Sequence, residues 1–243
     1  MPSKILTSIS IAIFGLASTL VLSSAHAATI TYTGTGSGSD GSLSASAAFT
    51  TSAGSLQVTL TDLLSASVIR SQGQALSDIT FTLSNAAGTL GTTSASGQLG
   101  NVSSTGVVTY TTGTPTRWLG TGGGAFSVSG STVALEAIGG GQPTEMIAPT
   151  IANGGTYTNV VQGFQNFDPY VIGPATFSLA LSGVTSSTTI TGVTFSFGTG
   201  PDTFVTGVPS TTPPATPEPS SLALLGTGLL GAVTLLRRKF ATA

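Results

Sequence analysis

The sequence predicts an all-β fold, an antiparallel β-sandwich of the jelly-roll or immunoglobulin-like type. Apolar residues alternate with Ser and Thr along many short runs, and a period of two is that of a strand with one buried face. Glycine-rich segments separate the runs, as turns between strands do. The chain contains no cysteine, so a packed hydrophobic core, rather than disulfide bonds, has to stabilise it.

The alternating runs follow one another through residues 28–207, which we expect to form the body of the protein. Their apolar residues share one face of each predicted strand, while Ser and Thr occupy the solvated face. We expect turns at the glycine-rich segments 34–41, 120–124 and 139–141. Residues 56–69 also fit a helical stripe, so a short helix there is an alternative. The predicted strands lie at residues 30–32, 43–49, 56–60, 79–83, 107–110, 126–128, 133–135, 177–181 and 193–197.

The N-terminal segment, residues 1–27, has the three parts of a secretory signal peptide. Lys4 precedes an apolar stretch, and the small residues Ala25 and Ala27 stand where signal peptidase requires small side chains. We predict cleavage directly before Ala28. An uncleaved N-terminal anchor is the alternative.

The C-terminal part of the chain consists of a Pro/Thr-rich linker, residues 208–219, and a hydrophobic segment with a basic end, residues 220–243. The uncharged run at 222–236 would form a helix of about 22 Å, against about 30 Å for the hydrocarbon core of a bilayer. Cations after the run favour the cytoplasmic side, which places the body outside the cytoplasm. A short membrane anchor and a processed sorting signal both fit these features. The residues that define the segment are Pro217, Glu218, Pro219, Arg237, Arg238 and Lys239.

These parts, in this order, resemble the PEP-CTERM sorting signal of Gram-negative bacteria. The resemblance rests on the Pro-Glu-Pro motif, on the Leu/Gly-rich run at 222–231 and on the three basic residues after it. It implies recognition by an exosortase, a membrane protease/transpeptidase, and removal of the tail near the motif. It also implies delivery of the body to the cell surface or to the extracellular matrix of a biofilm. It implies nothing about what the body does, because unrelated proteins carry the same tail.

The composition of the body excludes several classes of function. Residues 28–207 contain two cations, Arg70 and Arg117, against seven carboxylates, so they offer no positive surface for nucleic acid. Since His26, the one histidine, would leave with the signal peptide, the mature body has neither His nor Cys. It therefore cannot assemble a Ser-His-Asp site, a Cys-His site or an ordinary zinc site. We expect no catalytic residue, no cofactor and no metal.

Two groups of carboxylates keep alternatives open. Glu136 and Glu145 could form the acid pair of a polysaccharide-active hydrolase, although a glycine-rich break separates them and solvated surface acids explain them more simply. Calcium in a loop is the other alternative, with Asp40, Asp168 and Asp202 as candidate ligands. The chain shows no ligand run with the spacing of a calcium loop.

Aromatic residues cluster at one place in the Ser/Thr-rich background. Phe164, Phe167 and Tyr170 alternate with polar residues, and Trp118 beside Arg117 is a further platform on which a sugar could stack. These four residues are the candidate glycan-binding site. The alternative, which we favour, is that the rings cover the end of the sandwich as core and loop packing.

Together these features predict an exported surface or extracellular-matrix protein with a structural or adhesive role and no enzymatic activity. Its expected partners are signal peptidase and exosortase during processing, the membrane through the C-terminal helix, and extracellular polysaccharide as a candidate ligand. A glycan-binding module and a polysaccharide-active hydrolase are the alternatives.

Overall fold

The structure of the protein is a computed structural model that describes residues 29–200 and 203–210. In these two ranges, no helix has the length and apolar character needed to cross a membrane. The predicted signal peptide, its cleavage site and the C-terminal hydrophobic helix lie outside the described residues and stay predictions. The same holds for Ala25, Ala27, Ala28, Pro217, Glu218, Pro219, Arg237, Arg238 and Lys239.

Strands dominate the described residues, and the short helical segments are three 3₁₀ turns at Gln72–Gln74, Thr116–Leu119 and Phe164–Phe167. The strands are β1 (Thr29–Gly38), β2 (Gly41–Ser52), β3 (Ser55–Asp62), β4 (Leu76–Leu83), β5 (Leu90–Ser96), β6 (Leu99–Val102), β7 (Val108–Thr111), β8 (Ala125–Ser129), β9 (Thr132–Glu136), β10 (Ile147–Ala148), β11 (Tyr170–Ile172), β12 (Ala175–Leu181), β13 (Ile190–Phe197), β14 (Thr203–Thr206) and β15 (Val208–Pro209). The all-β prediction is confirmed.

The strands form two sheets. A six-stranded sheet has the order β15-β1-β2-β3-β12-β5, and a nine-stranded sheet has the order β14-β13-β4-β10-β11-β6-β7, with β9 paired to β4 and β8 to β9. The pairs are antiparallel except for β10 with β11, which is parallel, so the second sheet is mixed. The prediction of a purely antiparallel arrangement is wrong at that pair. A parallel pair needs a long connection between its strands, which alternation within a single strand does not reveal.

Side chains from both sheets meet in one hydrophobic core. The rings of Phe49 on β2 and Phe81 on β4 have centroids 5.0 Å apart. The hydroxyl of Tyr32 on β1 donates a hydrogen bond of 2.6 Å to the carbonyl of Ile190 on β13. Burial of the alternating apolar faces is the main stabilising term for such a body. The large apolar residues of the predicted strands 79–83, 177–181 and 193–197 are buried, among them Phe81, Leu83, Phe177, Leu179, Phe195 and Phe197.

The glycine-rich segment 34–41, expected to be a turn, belongs mostly to a strand. Strand β1 continues to Gly38, and only Ser39 and Asp40 lie between it and β2. A Cβ atom at Gly34 would lie 2.7 Å from a ring carbon of Phe195, and one at Gly36 would lie 2.9 Å from a methyl group of Val205. Glycine is needed here because side chains of the other sheet approach the backbone closely. Glycine is also common in tight turns, and for that reason the segment was expected to be a turn.

The helical alternative for residues 56–69 is also settled by the structure. Strand β3 occupies this segment up to Asp62, with Leu56, Val58 and Leu60 buried. Leu63, one of the later apolar residues, is exposed, so the apolar residues of this segment do not form the buried face of a helix.

Candidate functional site

A cleft with a volume of about 340 Å³ lies against the nine-stranded sheet, on the face turned away from the core. Ile79 and Phe195 point into the core, so the residues beside them in β4 and β13 face outward, because side chains alternate along a strand. Asp78, Thr80, Thr194 and Ser196 line the cleft from these two strands, and Glu136 lines it from β9. Ile138, Gly139, Gly141, Thr199 and Phe204 complete the lining.

Four side chains of the cleft form one row across four strands. Asp78 pairs in register with Glu136 on one side and with Ser196 on the other, and Ser196 pairs with Phe204. Residues directly opposite each other on neighbouring strands lie on the same face with their Cβ atoms about 5 Å apart. Sheet pairing thus places two carboxyl groups, a hydroxyl group and an aromatic ring side by side.

Asp78 has an unusual electrostatic environment for a residue on an outer face. Its side chain is only 7% exposed. Burial, with a smaller contribution from the negative charge of Glu136, raises the pKa of Asp78 to about 7. Hydrogen bonds from the Ile138 amide and the Ser77 hydroxyl, both long at 3.4 Å, oppose this shift, and the Ser196 hydroxyl acts in the same direction. Asp78 can therefore gain or lose a proton near neutral pH, which a solvated aspartate does not do.

Ser196 supplies a second unusual group. Its side chain is 4% exposed, and its Oγ atom is buried without a hydrogen bond of ordinary geometry. An unsatisfied buried hydroxyl costs about 1–3 kcal/mol, so such groups are uncommon in folded proteins. Ser196 lines the cleft, and its hydroxyl interacts with the Asp78 carboxyl group and lowers the pKa of Asp78.

Arg117 fixes the loop that covers part of the cleft. It lies in the 3₁₀ turn Thr116–Leu119, where its side chain is 6% exposed. The guanidinium group donates to the carbonyls of Ala137, Gly122 and Gly140, the last at 3.0 Å. The loop after β9 is therefore held in place by a buried cation that is surrounded by carbonyl oxygens.

Glu136 and Glu145, the acid pair weighed for a hydrolase, have different surroundings. Glu136 lines the cleft, whereas Glu145 is not among the lining residues. Glu145 Oε2 accepts a 2.8 Å hydrogen bond from the backbone amide of Arg117, and its carbonyl accepts one of 2.7 Å from the Trp118 indole. Burial raises the pKa of Glu145, while the interactions with Arg117 act in the opposite direction. The carboxyl group that the fold places beside Glu136 is Asp78, which sequence reasoning did not select.

The aromatic rings proposed for glycan stacking are placed mainly in the core. Trp118, Phe164 and Tyr170 are fully buried, and Phe167 is partly buried. The Phe164 and Tyr170 rings stack on each other at 4.4 Å, and the Trp118 ring lies 5.5 Å from that of Phe177. The three buried rings present no face on which a sugar could stack. Their burial agrees with the alternative of core and loop packing.

Phe204 is the aromatic residue that the sequence analysis missed. It is 61% exposed on β14, the edge strand of the nine-stranded sheet. The local pattern gave no clear signal for it, because Phe204 and Val205 are adjacent apolar residues and do not alternate with polar ones as in the longer strands. A strand of four residues is also too short to show a period of two.

Of the three candidate calcium ligands, Asp168 and Asp40 lie in the described residues, on different elements. Both carboxyl oxygens of Asp168 accept from the Val102 amide, at 2.9 and 3.0 Å, and burial raises the pKa of Asp168 to about 6. Asp40 lies in the exposed turn between β1 and β2, and Asp202 is outside the described residues. Within residues 29–200 and 203–210, no group of three acidic, histidine or cysteine side chains could hold a metal ion.

Comparison with known proteins identifies the C-terminal segment. Residues 215–239 match the family model of the PEP-CTERM protein-sorting motif, which confirms the resemblance stated from the sequence. The motif indicates an exported protein that is processed at the membrane by exosortase-type machinery. No curated protein matches the chain. No solved structure matches it either.

Proposed function

We propose that this exported, C-terminally sorted protein is a structural or adhesive component of the cell surface or extracellular matrix, and that it is not an enzyme. The observation that carries the proposal is the sorting motif at residues 215–239. A short Pro/Thr-rich segment connects this motif to the β-rich body. In this arrangement the C-terminal tail directs the protein to its destination, and the β-rich body carries out its function there.

The chemistry of the body supports a structural or adhesive role. Its two sheets share one hydrophobic core, and the chain contains no cysteine, so packing rather than disulfide bonds stabilises the body. Residues 28–207 contain neither Cys nor His, so the common nucleophile–base pairs of hydrolases cannot form there. Ser and Thr on the outer faces favour contacts with water and with hydroxylated polymers.

A glycan-binding module is the second candidate function. The cleft favours it, because Phe204, Asp78 and Glu136 combine an exposed ring with carboxyl groups that can bond to sugar hydroxyls. A hydrolase is the less favoured alternative. It would use the Asp78–Glu136 pair, since two neighbouring carboxyl groups are the catalytic pair of most glycosidases.

A complementation experiment tests the proposed function. A strain that lacks the protein is supplied either with the full chain or with a chain that lacks residues 217–219. We expect the full chain to restore surface attachment and matrix cohesion, and we expect the shortened chain to remain in the membrane fraction and to restore neither. Alanine at Pro213 and Pro214, in the same linker, serves as the matched control and should behave as the full chain does. Unaltered attachment and cohesion in the strain without the protein would contradict the proposal.

A further inference from the structure

The cleft on the nine-stranded sheet has the dimensions and the chemistry of a site for one sugar unit. Its volume of about 340 Å³ lies near the lower end of the range of about 300–1,000 Å³ for small-molecule sites. Hydroxyl groups of Thr80, Thr194 and Thr199 line it together with the carboxyl groups of Asp78 and Glu136. Hydroxyls both donate and accept hydrogen bonds, as the hydroxyls of a sugar do, and the carboxylates add strong acceptors.

The Ser196 hydroxyl is an independent sign that something polar binds in the cleft. Ser196 lines the cleft, and its Oγ atom is buried without a hydrogen bond of ordinary geometry in the described part of the chain, although it interacts with Asp78 closely enough to lower the pKa of that carboxyl group. Since Ser196 Oγ is closed off from solvent, its side chain has to rotate toward the cleft before a ligand hydroxyl can bond to it, and that bond would remove the cost of the unsatisfied group. The row of paired residues places that ligand hydroxyl beside the Asp78 carboxyl group.

Phe204 provides an apolar face at the other end of the same row. It pairs in register with Ser196, and its side chain is 61% exposed. A sugar presents C–H groups on one face and hydroxyls at its edge, so one ring can stack on Phe204 while its hydroxyls reach Ser196 and Asp78.

The charge of the cleft narrows the ligand class. Asp78 and Glu136 are both acids, and no Lys or Arg lines the cleft, so a saccharide with carboxylate or sulfate groups would be repelled. Calcium fits less well, because it takes about six to eight oxygen ligands and the cleft offers two carboxyl groups that are not part of any three-residue ligand cluster in the described residues.

We propose that the cleft formed by Asp78, Glu136, Ser196 and Phe204 binds one unit of a neutral extracellular polysaccharide. The inference rests on the proposed function and adds to it the ligand class and the site. Binding at one cleft is weak, and many copies of the protein on one polymer raise the overall affinity by effective concentration.

Affinity electrophoresis tests the proposal with the full chain in mild detergent. The gels contain a neutral glucan, a neutral mannan or the acidic polysaccharide alginate. We expect at least one neutral polymer to retard the protein, and alginate to have little effect. Phe204→Ala should weaken the retardation roughly five-fold, as expected for the loss of one stacking contact. Glu136→Gln, which keeps the shape of the side chain, should weaken it as well.

Val208→Ala is the matched control, because Val208 is also an exposed apolar residue on an edge strand, but it belongs to the six-stranded sheet. It should leave retardation unchanged. Equal melting temperatures of the variants show that a loss of binding is not a loss of folding. No retardation by any neutral polymer, or equal retardation of the wild type and Phe204→Ala, overturns the proposal.

Four further outcomes decide between ligand classes and between proposals. A rise in melting temperature with calcium, without retardation by any glycan, would overturn the sugar site in favour of a cation site. Shortening of the polymer by the wild type but not by Glu136→Gln would overturn binding without turnover. If glycan binding fails while the full chain still restores attachment and cohesion, the cleft proposal fails and the proposed function stands. If complementation fails while the purified chain binds glycan, the proposed function fails and the cleft proposal stands.

Discussion

At the scale of single residues, the carboxyl group of Asp78 is the clearest source of pH sensitivity in the body. It is buried beside Glu136, and burial together with that charge raises its pKa to about 7. Burial is also the main cause of the shift at Asp168, where it raises the pKa to about 6. A carboxyl group with a raised pKa binds its proton more tightly in the folded state than in the unfolded state.

The sign of the resulting pH dependence follows from this difference. The stabilising contribution of protonated Asp78 is fully present below the unfolded-state pKa of about 4 and is lost as the pH rises through about 7. We therefore predict a melting temperature of the mature protein that falls from pH 5 to pH 8. Asp78→Asn should flatten the slope and stabilise the protein at pH 8 by on the order of 3 kcal/mol. Thermal denaturation at several pH values measures this, with Asp40→Asn, in an exposed turn, as the control. A slope that Asp78→Asn leaves unchanged would refute the assignment.

The individual site residues show where sequence reasoning reached its limit. Asp78 lies one residue before the predicted strand 79–83, and the observed strand β4 includes it. Its partners Glu136 and Ser196 come from distant strands, and their register depends on long-range pairing that no local pattern contains. Aromatic composition alone does not tell a buried ring such as that of Tyr170 from an exposed one, because both occur beside polar residues.

At the scale of elements, strand β1 shows how glycine permits two sheets to approach each other. Gly34 faces the ring of Phe195, and a Cβ atom at this position would come within 2.7 Å of it. Gly192 on β13 is also a strand glycine, but no atom lies within 4 Å of the position of its missing Cβ. The two glycines therefore differ in crowding, although both lie in strands of the same core.

We predict opposite effects for alanine at these two positions. Gly34→Ala should destabilise the protein by about 1–3 kcal/mol, because the added methyl group has to displace packed side chains. Gly192→Ala should be neutral or slightly stabilising, since it reduces the entropy of the unfolded chain without a clash. Chemical denaturation of both variants measures the difference. If Gly34→Ala is tolerated as well as Gly192→Ala is, close approach does not explain the glycines of β1.

Strands with a buried apolar face were predictable from alternation, and strands without one were not. Residues 177–181 and 193–197 were expected to be strands because every second residue is large and apolar, and both lie within observed strands. Strand β5 was missed since it is an exposed edge strand with few apolar residues. The two residues of β10 are too few to show a period, so the parallel pair with β11 could not be anticipated.

At the scale of the whole molecule, the protein combines a β-rich body with a sorting motif at residues 215–239. The body supplies the cleft and the outer Ser/Thr faces, and the motif indicates export and processing at the membrane. We propose that processing at both ends separates the body from its targeting segments and delivers it to the surface or the matrix.

The intact mass of the mature protein, measured in each cell fraction, tests this claim most directly. We predict that the protein in the surface or extracellular fraction begins at Ala28 and lacks residues 222–236, because signal peptidase removes the N-terminal segment and exosortase removes the tail. A chain of full-length mass that persists in the membrane fraction, with no shorter form at the surface, would contradict the account.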